Sequence, residues 1–107
     1  MGTQVDKCND SNFESIVLQN STPALAMFYA TWNGASRGMA ITFRQAALRY
    51  SADVSFVMLD IEESPQMAQR FEVTNVPTVC LFKNGKVVAT LGLADEAQLT
   101  AFIDGNI

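Results

Sequence analysis

Ala24-Leu25-Ala26-Met27-Phe28-Tyr29-Ala30, running on into Thr31-Trp32-Asn33-Gly34-Ala35-Ser36-Arg37, is the stretch whose reading decides the fold. Its first part is apolar without alternation, the pattern of a central strand covered on both faces. It is also far too short to span a bilayer. Beyond it, Met39, Phe43, Ala46 and Tyr50 recur at helical spacing, which predicts a helix over about 34–50 with one core-facing stripe. Residues 54–60 read as another buried strand, so strand, helix and strand make a right-handed parallel unit.

Working outward, residues 5–8 suit a short first strand. Ser11-Asn12-Phe13-Glu14 has the spacing of a capping box, and Phe13, Ile16 and Val17 then follow a helical period. Ser21-Thr22-Pro23 ends that helix. On the other side, Ser64-Pro65 predicts a helix with Pro at its first position, and Met67, Ala68 and Phe71 supply its apolar face. Residues 78–82 and 86–91 flank Lys83-Asn84-Gly85, and Asn-Gly is a strong hairpin signal. Asp95-x-x-Gln98 caps a last helix that buries Leu99, Phe102 and Ile103. The pattern is α/β: a parallel unit, an antiparallel hairpin and a closing helix.

Composition narrows the chemistry. A chain of 107 residues, 49% hydrophobic, makes one domain over 1–107 with a core of its own. The net charge of −4 offers no basic footprint for nucleic acid or an anionic membrane. The chain has no histidine, which removes the commonest metal ligand and general base. Its two cysteines, Cys8 and Cys80, are too few for a zinc site or a disulfide framework, so no cofactor and no metal is expected. The first residues lack the apolar core of a secretory signal, and Asp6 stands where acylation of Gly2 wants Ser or Thr. A cytoplasmic protein with reduced thiols is the expectation.

Four motifs in order carry a family resemblance: Phe28-Tyr29-Ala30-Thr31-Trp32, Val76-Pro77-Thr78, Phe82-Lys83-Asn84-Gly85, and Gly92 before the last helix. With them the chain resembles thioredoxin over nearly its whole length. The resemblance implies a thioredoxin-like fold, a central mixed five-stranded sheet flanked by about four helices. It also implies a cis bond before Pro77, and a shallow groove in which Pro77 faces Trp32 and Gly34. In that family the tryptophan is followed by Cys-Gly-Pro-Cys-Lys, where this chain reads Asn33-Gly34-Ala35-Ser36-Arg37. The family's buried Asp and neighbouring Lys, which assist proton transfer, correspond to Met27 and Met58. Ala35 and Ile41 replace two of its prolines.

Dithiol exchange needs a low-pKa thiolate at a helix N-terminus and a second thiol to resolve the mixed disulfide. Asn33 offers no nucleophile, and Ser36 has no histidine to activate it. Asn33 instead suits an N-cap, worth about 1 kcal/mol. No catalytic residue is therefore assigned. The reading is a redox-inactive binding or regulatory module whose groove comprises Trp32, Asn33, Gly34, Ala35, Ser36, Val76, Pro77 and Gly92. Its expected partner is a protein or an extended peptide segment, with self-association as a further use of the same patch. The alternatives are a thiol–disulfide oxidoreductase with atypical or residual chemistry through Cys80, and a self-associating structural subunit.

Individual residues carry competing readings. Trp32 either packs the start of the helix or faces a partner, since Trp serves both roles. Cys80, in an apolar strand without a nearby cation, reads as a buried inert thiol, and Cys8 as structural. A bond between them is not expected, because their strands are not neighbours in this fold. Arg37, Ile41, Arg44 and Leu48 form a second stripe on the long helix, opposite the core. Incidental exposure is the simpler explanation of that stripe, and a partner surface the sharper one. Asp60, Glu62 and Glu63 read as a solvated acidic loop.

Overall fold

The computed structural model describes residues 5–50 and 52–107. Gly2, weighed above as an acylation site, lies outside the described residues. Strands β1 (Val5–Lys7), β2 (Ala24–Tyr29), β3 (Ser55–Asp60), β4 (Thr78–Lys83) and β5 (Lys86–Leu91) form one sheet in the order β1-β3-β2-β4-β5. β3 runs parallel to both β1 and β2, whereas β4 is antiparallel to β2 and to β5. Three α-helices, α1 (Gly34–Tyr50), α2 (Pro65–Arg70) and α3 (Glu96–Asn106), join a single π-helical turn over Glu14–Leu18. The expected mixed five-stranded sheet with four helical segments is therefore present, and one of the four is a π turn.

The unbroken apolar run of β2 is explained by burial on both sides, since Ala24 to Phe28 are all buried. On one face, Leu25 and Met27 pack with Met39 and Phe43 of α1, Phe56 and Met58 of β3, and Leu99 and Ile103 of α3. On the other, Ala24, Ala26 and Phe28 meet Phe13, Val17, Leu59, Cys80 and Phe82. Phe13, Phe71 and Phe82 form a ring triad with centroids 5.0–5.5 Å apart. Such pairs contribute beyond their burial and fasten the π turn and α2 to β4.

Several boundaries differ from the sequence reading. The capping box expected at Ser11 and Glu14 is absent. Asn9 and Asn12 form the reciprocal pair instead: Asn9 N donates to Asn12 Oδ1 at 2.7 Å, and Asn12 N to Asn9 Oδ1 at 3.3 Å. The Asn9 side chain also accepts from the Ser11 amide and hydroxyl, so Ser11 serves the turn rather than the helix. β1 stops at Lys7 and β3 begins at Ser55, because the Val54 amide is taken by the Tyr50 carbonyl at the end of α1. β4 continues one residue further, to Lys83. The Asn84-Gly85 turn has positive φ at both residues, 53° and 77°, as a type I′ hairpin requires. At α3 the capping box is complete in both directions, between Asp95 and Gln98.

Candidate functional site

The sheet topology gathers the site. Phe28 of β2 pairs with Thr78 of β4, and Val79 of β4 pairs with Leu91 of β5. The C-terminal end of β2, the N-terminal end of β4 and the C-terminal end of β5 therefore share one edge of the molecule. Residues 30–36, 75–77 and 92–93 emerge there together. The Val76–Pro77 peptide bond is cis. Pro77 is buried, Val76 half-buried and Gly92 exposed. Among the described residues, neither the amide nor the carbonyl of Val76 has a hydrogen-bond partner. Thr78 Oγ1 donates to the Asn75 carbonyl at 2.6 Å and braces this turn.

α1 starts where the sequence places it. The Ser36 amide donates to Asn33 Oδ1 at 2.7 Å, so Asn33 is the N-cap. Ser36 is 1% exposed, and its Oγ accepts from the Ala30 amide at 3.3 Å, tying the helix start to the end of β2. Gly34 is exposed and Ala35 half-buried. Trp32 is 62% exposed, which settles its packing in favour of a surface ring. Beneath this terminus Met27 and Met58 are direct neighbours across β2 and β3, and both are buried. Neither methionine side chain can hold a proton.

Neither thiol lies at the helix start. Cys8 and Cys80 are both free and buried, one following β1 and one on β4, strands that are not neighbours. Burial, with a smaller contribution from the Asp6 carboxylate, pushes the Cys8 thiol up to about 12. Burial also raises Cys80, against a weaker opposing hydrogen bond with Thr90. Both shifts favour the protonated, unreactive form.

The long-helix stripe lies in solvent, with Ile41 at 62% and Leu48 at 68% exposure and Arg37 and Arg44 also exposed. The two arginines turn from that stripe towards a cavity of about 280 Å³, shared with Tyr29, Thr31, Ser36, Ala40 and Met58. Sequence reasoning named Arg37 and Arg44 but missed this cavity, because the spacing of a stripe does not show what lies beside it. Of the acidic group, Asp60 is buried rather than solvated, its Oδ1 accepting from the Glu62 amide at 2.9 Å. Among the described residues no cluster of His, Cys, Asp or Glu could hold a metal ion, and no helix is long and apolar enough to cross a membrane.

Comparison with known proteins agrees with this architecture. The family model described as thioredoxin matches residues 4–105. Thioredoxin C-2 of Corynebacterium nephridii is 32% identical, with all of both chains covered. The thioredoxin of Acidithiobacillus ferridurans is 35% identical over 92% of this chain and 93% of its own, and that of Haemophilus influenzae 33% identical over 98% and 99%. Matched over residues 4–105 by the family model and over more than nine-tenths of its length by these relatives, and built on this sheet, the chain belongs to the thioredoxin family.

Proposed function

We propose that this protein is a redox-inactive member of its family that binds an extended protein segment at the edge formed by Trp32, Asn33, Gly34, Ala35, Ser36, Val76, Pro77 and Gly92. One observation carries the reading: the start of α1 is closed by the Asn33 cap and the buried Ser36, with no thiol among residues 31–37. A helix N-terminus favours a thiolate, and here that position holds an amide already committed to the backbone. The free backbone groups of Val76 supply a donor and an acceptor for an incoming strand, and the exposed Trp32 ring supplies apolar contact. Without covalent trapping the binding is non-covalent, and a cytoplasmic setting suits its reduced thiols.

The test is turnover of a generic disulfide substrate in the presence of a reducing system. No turnover above the uncatalysed rate is expected. A second reading, thiol–disulfide exchange through Cys80, is favoured by the names of the relatives, which are thioredoxins. Turnover that disappears in Cys80→Ala would establish it and overturn the first. Binding is tested separately by capture of the native partner. Trp32→Ala is expected to weaken capture more than about tenfold, as loss of a central aromatic anchor does. A silent Trp32→Ala beside a disabling Leu48→Glu would move the site to α1.

A further inference from the structure

The cavity between α1 and the ends of β2 and β3 differs in chemistry from the groove. Two of the chain's 7 Lys and Arg side chains line it, Arg37 and Arg44, in a protein of net charge −4. Among the described residues the ion pair within 4.0 Å is Arg49 with Glu96, so neither cavity arginine is neutralised by a carboxylate. Asp60, the next residue of β3 to face this side after Met58, does not line the cavity, and its Oδ1 accepts from the Glu62 amide. Arg37 is held in place because its Nη1 donates to the Thr31 carbonyl at 3.0 Å, which leaves other guanidinium donors available.

Ser36 supplies the second, independent observation. It is 1% exposed and lines the cavity, and its Oγ accepts from the Ala30 amide. Among the described residues its own hydroxyl proton has no acceptor. A buried hydroxyl with an unused donor, lining the same cavity as two guanidinium groups that no carboxylate neutralises, calls for an acceptor that carries negative charge. Ala40 and Met58 provide an apolar wall. The cavity volume of about 280 Å³ is many times what a single water needs, which leaves room for an oxyanion on a short carbon arm.

We propose that this cavity is an oxyanion-binding site, in which a phosphate or carboxylate group accepts hydrogen bonds from Arg37, Arg44 and the Ser36 hydroxyl. The site does not depend on the groove being used. Its anion is either a free small molecule or an acidic side chain of a bound protein.

The experiment titrates the full-length, nitrogen-15-labelled chain at constant ionic strength. One arm uses inorganic phosphate and the other an N-acetylated, C-amidated glutamate, with amide shifts as the readout. Saturable shifts at Ala30, Ser36, Ala40 and Met58 are expected with at least one probe. Saturation by phosphate alone assigns the site to a free anion, and saturation by the glutamate probe to a partner's side chain. Arg44→Gln, at an exposed position that folding tolerates, is expected to weaken binding about tenfold, the loss of one charge-assisted contact. Arg49→Gln, on the same helix but outside the cavity, should leave binding unchanged. Absence of saturable shifts with both probes overturns the proposal, and so does an equal effect of Arg44→Gln and Arg49→Gln.

Discussion

Asn33 closes α1 through a 2.7 Å hydrogen bond from the Ser36 amide, a role its residue type and its place before a helical period made legible. The burial of Ser36 and the exposure of Trp32 were not legible, because each depends on what the end of β2 brings against the helix start. Asn33→Ala is expected to cost about 1 kcal/mol of stability in urea unfolding, and Asn33→Asp to retain it, since a carboxylate also favours the N-terminal dipole. An unchanged midpoint for Asn33→Ala would remove the cap from the account. The thiols give a second prediction at this scale. The Cys8 thiol stands at about 12 in the fold against an ordinary 9.0, so the unfolded chain loses its proton first. Its contribution is fully present below pH 9.0 and lost as pH rises towards 12. Cys80 acts in the same direction, and Tyr50 is raised by its hydrogen bond to Asp104, so the test is a difference between variants. The stability of Cys8→Ala should fall less steeply than that of the wild type across the alkaline range. Parallel curves would refute the assignment.

Elements were legible where a local rule suffices to make them. The Asn84-Gly85 hairpin, the Asp95–Gln98 box and Pro65 at the start of α2 are each fixed by a few adjacent residues. The end of α2 was not legible. Glu72 sits there at φ 58°, with its amide donating to the Gln69 carbonyl and the Val73 amide to the Ala68 carbonyl. This is a Schellman ending with glutamate at the position glycine usually takes, so no glycine announced it. Opposite substitutions at two left-handed positions should have opposite signs. Glu72→Gly is expected to stabilise by up to about 1 kcal/mol, since glycine adopts this conformation without the steric cost. Gly85→Ala should destabilise by about 1 kcal/mol or more, because its added Cβ is strained at φ +77° and meets the Leu18 carbonyl oxygen at 3.2 Å. Gly92→Ala meets nothing within 4 Å and serves as the tolerated control. Unfolding midpoints in urea order the three variants, and a Gly85→Ala as stable as the wild type would contradict the turn geometry.

At the scale of the molecule, the sheet carries an apolar seam under the candidate site, where Met27 and Met58 face each other across β2 and β3. Both sit within the cluster that joins α1 to α3, so a charge placed there is felt by the whole α1 and α3 layer. Met27→Asp would set a carboxylate at a position with no exposure and no cationic neighbour in register. An unpaired buried carboxylate costs about 3 kcal/mol or more at neutral pH. Burial raises the pKa of such a group, so the unfolded state ionises first. The penalty is absent at pH below the ordinary carboxylate value of about 4 and grows as pH rises above it. Met58→Lys alone costs stability for the same reason, eased because Met58 borders the cavity and a lysine stem can extend towards water there. Together the two changes place opposite charges on paired strands. The double variant is expected to be less destabilised than the sum of the singles by at least about 1 kcal/mol, the coupling of residues in contact. Urea unfolding of all four proteins at neutral and acidic pH measures this cycle. Additive costs at neutral pH would mean that the two side chains do not meet, and the apolar seam would then be two separate contacts rather than one layer.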